Sequence, residues 1–594
     1  MAGQGVIEQA EKETRIQQAS DRLSIDWKSF DVNGDERVQF IQPNSSSIAF
    51  NRILSNKGSL IQGRIDANGQ VVLINPNGLI FTEGASVNAG GLIASALQMN
   101  DQDYLNGKFT LNALEGSEGR VINSGLLNAA TGGNISLLGQ SVENKGLISA
   151  QLGSVSLAAG KEAVLTFEPN GLVGVRVTEA VLQKDLGVDA AVVNSGDIKA
   201  EGGKVLITAS TSKDIFSKAV NIGELTAAKS AVVNDDGSFT LDAGADIKNT
   251  GTVDVASHAV AGEVVLIGDN ISHQGRIIAD SETTNAGRVE LVAKNKSEIK
   301  DDGVVTAVAQ SQGKGGDIKI LGDKVGVFNS AKVDASGANG GGQVLLGGDR
   351  TGENPLIKNA QFLFVGDKTE IKANATQSGD GGRLIAFAED AARIYGQFNA
   401  AGTAEGYGGF VETSGLNHLD LESTPNVGGA LNKNGLWLID PANISIVTGS
   451  TESTDGAGDI NNPYTNPIEN GKYSTASIGA NIIRDALNKG GDVYIKTGRS
   501  TSNITVADTD GNITVNATSI TTSSANNSTL YLDAGRNITF NDANNYQFSL
   551  SNSNGKSLSL GLFAGKDIDF KSATIITNGG DIKIGSSQVP IGGT

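Results

Sequence analysis

The chain has no cysteine, 9 prolines, 3 histidines and 5% aromatic residues in a length of 594. Without cysteine there is no disulfide, no thiolate metal site and no cysteine nucleophile. So few prolines exclude a collagen-like or proline-rich linker chain, and so few aromatics are poor filling for large compact cores. No run reaches the roughly 18 apolar residues that a membrane-crossing helix needs. The opening residues, Met1-Ala2-Gly3-Gln4-Gly5, hold neither a basic nor an apolar signal region. Either the chain stays in the cytosol or an export signal has been removed ahead of it. Positive charge is also short: 46 basic residues against 65 acidic ones leave a net charge of −19. Such a surface repels phosphate backbones and anionic membranes, so neither nucleic acid nor membrane insertion is expected.

What the chain does have is glycine, 78 residues of it, and a 38% apolar fraction made mostly of Val, Ile, Leu and Ala. That is too apolar for simple disorder. The length suggests three or four globular domains, unless the chain is a solenoid whose repeats each stack only on their neighbours. A recurring phrase favours the solenoid: an Asn-x-Gly turn, a short strand, a Gly-Gly turn and a second strand. It appears as VINSGLLNAATGGNISLLG (121–139), VVNSGDIKAEGGKVLITA (192–209) and VFNSAKVDASGANGGGQVLLGG (327–348). Glycine turns at Gly262, Gly287, Gly316, Gly342, Gly382 and Gly409 are spaced by 25, 29, 26, 40 and 27 residues. The long interval is read as an inserted loop near 354–364.

Period and composition together predict an all-β fold, a right-handed parallel β-helix. Identical asparagines on successive coils can stack as amide ladders, and glycine suits the corners. Several strands are apolar on both faces, which suits a coil whose outer side is partly covered. The charged stretch 5–25 is read as an N-terminal cap against edge-to-edge association. The pattern breaks near 420–490. There GLWLIDPANISIV (435–447) leads through a polar stretch to STASIGANIIRDALNKGG (474–491), read as one short helical insertion near 475–489. Ser474 or Thr475 would cap that helix, and Ile478, Ile482, Ile483 and Ala486 would form its apolar stripe. The expected domains are 1–257, a stalk over 258–435, a junction over 436–491 and further solenoid over 492–594, with C-terminal coils missing.

The first 110 residues differ from the repeats. They carry Trp27-Lys28-Ser29-Phe30, Val38-Gln39-Phe40, Phe50-Asn51-Arg52, Ile61-Gln62-Gly63, Asn68-Gly69, the tetrad Asn75-Pro76-Asn77-Gly78, and Gly91-Leu92-Ile93-Ala94-Ser95. This set resembles the secretion domain of two-partner secretion exoproteins, the filamentous haemagglutinin family. The phrase Gly90-Gly91-Leu92-Ile93-Ala94-Ser95-Ala96-Leu97 resembles that of high-molecular-weight and biofilm matrix adhesins within it. The resemblance implies export through an outer-membrane barrel transporter bearing POTRA modules. It makes Asn75, Pro76, Asn77 and Gly78, with Asn51, Asn68 and Gly69, the residues needed for secretion. Read by itself the tetrad is a turn, with Pro76 fixing φ at the first corner position and Gly78 allowing the reversal. Both a shaping role and direct contact with the transporter remain open.

Chemistry is sparse. His258, His273 and His418 stand in no metal-binding or catalytic spacing and are read as turn residues. The stretch 31–42 imitates a calcium loop through Asp31, Asn33 and Asp35, but Glu36 and Gln42 stand where glycine and glutamate are required. No cofactor is expected. The sequons at Asn503, Asn512, Asn516 and Asn537 arise from turn-then-strand composition, with glycosylation left open. The leading expectation is therefore a non-enzymatic adhesin. It would be secreted to the bacterial cell surface as a monomer and bind glycans, matrix polysaccharide or a host surface. Two alternatives stand beside it: the N-terminal part of a cytolysin or contact-dependent inhibition toxin, and a β-helix polysaccharide-degrading enzyme. Against the enzyme, the acidic residues are scattered at turns rather than clustered.

Overall fold

A computed structural model describes residues 3–99, 109–151, 153–167, 173–179, 191–200, 204–208, 232–233, 239–240, 246–259, 262–449, 463–464, 475–498, 511–516, 518–541, 548–571 and 573–586. The chain divides into two units, Met1–Asp280 with Arg288–Lys294, and Ser281–Gly287 with Asn295–Thr594.

The first unit is a three-faced coil of parallel strands. One face stacks Arg22–Trp27, Ile48–Ile53, Gln70–Ile74, Gly91–Ser95, Asn134–Gly139, Ser154–Ala159 and Lys204–Thr208, each in register on the last. A second stacks Ser59–Ile61, Leu79–Phe81, Arg120–Asn123, Ser141–Asn144, Val192–Asn194 and Ile247–Asn249. A third runs from Glu13–Gln18 through Arg37–Ile41, Arg64–Ala67 and Ser86–Ala89 to Thr252–Asp254 and Arg276–Ile278. Alternation explains the core, because every second side chain points inward. Val71 and Leu73 lie over Leu92 and Ala94, then Ile135 and Leu137, then Val155 and Leu157, all 1% exposed or less. Each such Val, Leu or Ile stabilises the coil by roughly 1.5–3 kcal/mol. This is the expected parallel β-helix.

The cap is shorter than the stretch 5–25. Gly5–Gln9 folds back antiparallel on Glu13–Gln18 and closes the open strand edge, and Arg22–Trp27 is already a rung. The expected outer cover is a four-stranded antiparallel sheet of Gln98–Met99, Thr110–Asn112, Glu162–Phe167 and Val173–Glu179. Met99, Leu111, Ala163 and Leu165 from it pack on the outward residues Phe50, Val72, Ile74, Ile93 and Leu138. That is why Gln70–Ile74 and Gly91–Ser95 are buried on both faces.

The second unit repeats the coil. Asp317–Leu321, Gln343–Leu346, Arg383–Ala388, Phe410–Gly415, Gly435–Ile439, Gly491–Thr497, Ser528–Ala534 and Leu558–Ala564 stack in parallel. The long interval holds the excursion expected there, but it spans 347–361. Phe362–Val365 is an ordinary rung strand on Lys324–Val327.

The helix also differs from expectation. Residues Ala476–Gly479 form a strand inserted between His418–Leu421 and Ile444–Val447, and the helix is Ala480–Asn488. Its N-cap is Gly479, without a side-chain cap bond. Thr475 is outside the helix, and Ser474 lies outside the described residues. The stripe misled because Ile478 is buried at 1% as a strand residue, whereas Ile482, Ile483 and Ala486 are the helical ones.

Candidate functional site

The tetrad follows the strand Gln70–Ile74 and turns the chain into Leu79–Phe81. Gly78 N–H donates to the Asn75 carbonyl at 2.9 Å, closing a four-residue turn. Pro76 holds the first central position, and Asn77 is absent from the positive-φ residues. This is the type I pattern, with Asn first, Pro second and Gly last. Gly78 itself has φ +109°, a left-handed value that favours glycine.

The Asn75 side chain is fully buried. Its Nδ2 donates to the Lys57 carbonyl and to Ser59 Oγ, both at 3.0 Å, and its Oδ1 accepts from Asn77 N–H at 3.0 Å. Asn77 Nδ2 donates to the Ser55 carbonyl at 2.9 Å, and Ser117 Oγ donates to the Pro76 carbonyl. The tetrad thus ties three chain segments together.

Asn51 is buried on the rung before it. Its Oδ1 accepts from Trp27 Nε1 at 2.9 Å, and its Nδ2 donates to the carbonyls of Ala49 and Val72 at 3.1 and 3.3 Å. Trp27 packs edge-on to Phe30 at 5.3 Å. Asn68 and Gly69 stand at the other end of the same strand, roughly 17 Å from the tetrad for five residues of strand. Asn68 clamps Gln42 at both backbone groups, at 2.7 and 2.8 Å. Gly69 N–H donates to Gln42 Oε1 at 2.9 Å, and a methyl group there would fall 2.6 Å from the Ser47 carbonyl. The seven residues are therefore two corners and a rung, not one cluster. Gln42, whose Nε2 reaches the carbonyls of Ser47 and Gln70, belongs with them, although the sequence marked it only as a departure from a calcium loop.

Beside the tetrad three apolar side chains reach the surface, among exposed polar ones such as Asn56 and Lys57. Leu60 and Ile80 lie side by side in register, each 40% exposed, and Leu54 is 67% exposed. On the third face, Asp66 meets Arg37 at 2.6 Å and Arg64 at 2.7 Å. Burial works to raise its carboxyl pKa, and the two guanidinium groups outweigh that and hold it below the usual range.

A second constellation is wholly buried. Asn123 Nδ2 donates to Asn144 Oδ1, Asn144 to Asn194, and Asn194 to Asn249, at 2.8, 2.8 and 2.7 Å. Asn249 Nδ2 then meets His273 Nδ1 at 2.9 Å. The direction of donation makes that nitrogen an acceptor. Here the amide ladder expected of the Asn-x-Gly turns ends on a histidine. His273 is a buried strand residue, and so is His418, rather than the turn residues expected. The signal was present, since His273-Gln274-Gly275 occupies the Asn-x-Gly slot.

The calcium-like stretch spends its groups separately. Asp31 accepts from Leu60 N–H, Asp35 pairs with Lys12 at 2.8 Å, and Asn33 bonds Glu36. Among the described residues no three His, Asp or Glu side chains gather as a metal site. Of the sequons, Asn512 lies between Asn443 and Asn537 in a side-chain ladder, and Asn516 accepts from Asn541. Asn503 falls outside the described residues.

Residues 2–255 match the family described as the TPS secretion domain. The chain carries the secretion domain of a two-partner secretion exoprotein. Two heme/hemopexin-binding proteins of Haemophilus influenzae are similar to the exoprotein. One is 36% identical over 193 residues, which is 31% of this chain and 20% of that protein. The other is 50% identical over 80 residues, 14% of this chain and 9% of that protein. The match thus spans a fifth or less of these relatives' length. The crystal structure of the HMW1 secretion domain from Haemophilus influenzae superposes with a TM-score of 0.52 at 28% identity. That match covers 74% of the exoprotein and 98% of that structure.

Proposed function

We propose that the exoprotein is the export and stalk portion of a surface adhesin. POTRA modules of a dedicated outer-membrane barrel would read its first rungs, and its coil faces would bind glycan, matrix polysaccharide or a host surface. The proposal places it at the bacterial cell surface, as a monomer without enzymatic activity. The observation that carries the export half is the tetrad corner, a rigid, internally satisfied turn set beside the exposed pair Leu60 and Ile80. An internally bonded turn has few polar groups left to offer a partner, whereas an apolar pair beside it has area to bury. On this reading the tetrad shapes the site and the apolar pair makes the contact.

Transport also gains a physical drive. Each rung docks on the previous one, so folding outside the membrane proceeds coil by coil and pulls the chain outward. The antiparallel hairpin at the start prevents that growth from running the other way. The names of the heme/hemopexin-binding relatives do not move this reading to heme, because the shared stretch is at most a fifth of those proteins.

The test is secretion in cells that carry the partner transporter. Leu60→Glu/Ile80→Glu is expected to leave thermal unfolding unchanged and to stop secretion. Asn75→Ala is expected to lower both. Secretion of the double variant at the parental level would overturn the contact assignment. Binding of the purified chain to a glycan array tests the adhesin half separately.

A further inference from the structure

On the second unit the outward-facing residues Glu298, Gly326, Phe364 and Arg393 follow one another in register across four stacked strands. Gly326 leaves a hole in that column. A methyl group there would lie 2.3 Å from the Tyr464 hydroxyl and 2.2 Å from the Phe328 ring. Tyr464, which lies 166 residues beyond Glu298, fills the hole, and its hydroxyl donates to Glu298 Oε1 at 3.0 Å. Its ring meets Phe328 edge-on at 6.4 Å, and Lys324 Nζ sits 5.8 Å from the ring centre. The preceding carbonyl, of Pro463, accepts from Arg393 Nη1 at 3.3 Å.

The walls stand without the tyrosine. Phe328 stacks on Phe364 at 5.0 Å, Phe364 meets Tyr395 at 5.9 Å, and Tyr395 bonds Asp420 at 2.8 Å. Glu298 is held by Lys296 and Lys300 at 3.2 and 2.9 Å. The site therefore combines a glycine floor, aromatic walls, a fixed carboxylate for a phenol and a guanidinium for the carbonyl one residue earlier.

We propose that this is a recognition socket for a Pro-Tyr dipeptide, filled here in cis by Pro463-Tyr464 and equally able to take the dipeptide from a second copy of the chain. Glu298 makes it selective for tyrosine over phenylalanine, because a buried carboxylate oxygen left without its donor is costly. Gly326 makes it selective for an empty column, because any side chain there occupies the hydroxyl's place. The assignment stands apart from the export and adhesin reading.

The test uses the full chain and a fluorescent peptide of residues 461–467. Tyr464→Ala empties the socket and is expected to bind the peptide, while the parent chain and Tyr464→Ala/Gly326→Ala are not. A peptide with phenylalanine for tyrosine should bind about tenfold more weakly or worse. Absence of binding to Tyr464→Ala at millimolar peptide overturns the proposal, as does equal binding to the double variant. A second measurement does not depend on added peptide. Burial and then the Glu298 carboxylate push the Tyr464 hydroxyl far above the usual tyrosine range. Alkaline ultraviolet titration should therefore show one more ionising tyrosine in Gly326→Ala than in the parent. Equal numbers would place Tyr464 elsewhere and overturn the socket.

Discussion

In the first unit the Asn-x-Gly corners bury a side chain at every turn, and in the second the Gly-Gly corners bury none. Asn123, Asn144, Asn194 and Asn249 are all completely buried; each gives a hydrogen bond up the axis, and the last three also take one from the asparagine below. The glycines two places on are stacked as tightly as backbone allows. A methyl group at Gly196 would lie 2.1 Å from the Gly146 carbonyl oxygen, and one at Gly251 would lie 1.9 Å from that of Gly196. A different corner, the Gly-Gly one, is a column of such contacts in the second unit, and the first unit has it too, with Gly133 over Gly90 and Gly153 over Gly133. Gly316 lies over Gly287, Gly342 over Gly316, Gly382 over Gly342 and Gly409 over Gly382, with methyl positions 1.9–2.3 Å from the carbonyl below. One corner is specified by a directional amide bond, and the other by the absence of a side chain. The first resists slipping by a residue, since a slip would leave buried amides unpaired. The second relies on sterics.

The largest effect should come from the steric corner. Gly382→Ala puts a methyl group 2.2 Å from the Gly342 carbonyl oxygen, and neither backbone can move without unstacking a rung. A loss of about 4 kcal/mol or more is expected, read as earlier urea unfolding and as lost amide-exchange protection in 383–388 and 410–415. Parental stability in Gly382→Ala would show that the column is not in contact. Next comes the polar corner. Asn144→Ala leaves one Asn123 N–H and the Asn194 acceptor buried and unmet, a cost of roughly 2–6 kcal/mol at one to three per orphaned group. Asn144→Ala should be the milder of the two, and the reverse order would mean that the amide ladder bears more of the coil's stability than the glycine contact.

The ladder's last residue sharpens the comparison. His273→Ala removes the acceptor for Asn249 and is expected to cost at least about 1–3 kcal/mol. His273→Asn restores an acceptor in the same slot and should return most of it. Thermal unfolding of the pair decides whether the histidine acts as a ladder member or only as volume.

Much of this was legible in the sequence because period and corner chemistry are local. The Asn-x-Gly and Gly-Gly spacings gave the coil, and the tetrad gave its turn type. What escaped depends on contacts distant in the chain. Ile478 fits a helical stripe with Ile482 and Ala486, yet a gap between two existing rungs draws Ala476–Gly479 into a strand. The antiparallel cover was implied by doubly apolar strands, but its own segments, such as Gln98–Met99 and Thr110–Asn112, are too short to announce themselves. Tyr464 could not be placed by spacing at all, since its partner Glu298 belongs to an earlier rung.

The smallest effect lies off the corners, on the charged outer face of the first unit. Asp66 bridges Arg37 and Arg64 across successive strands, and its pKa is lowered once their attraction has outweighed the burial that raises it. A depressed carboxyl pKa contributes stability that is fully present above the unfolded value, 3.8. The contribution fades as pH falls through the lower folded value. Neutral pH should therefore show the full contribution and strong acid none. The partners are partly exposed, so screening limits it to about 1 kcal/mol or less. Asp66→Asn should lose that amount at pH 7 and nothing more on acidification, and added salt should shrink the difference. Measured against the corner variants, this ranks the sources of order in the coil: backbone contact first, buried amides second, and surface charge a distant third. A charge effect larger than that of Asn144→Ala would invert the ranking.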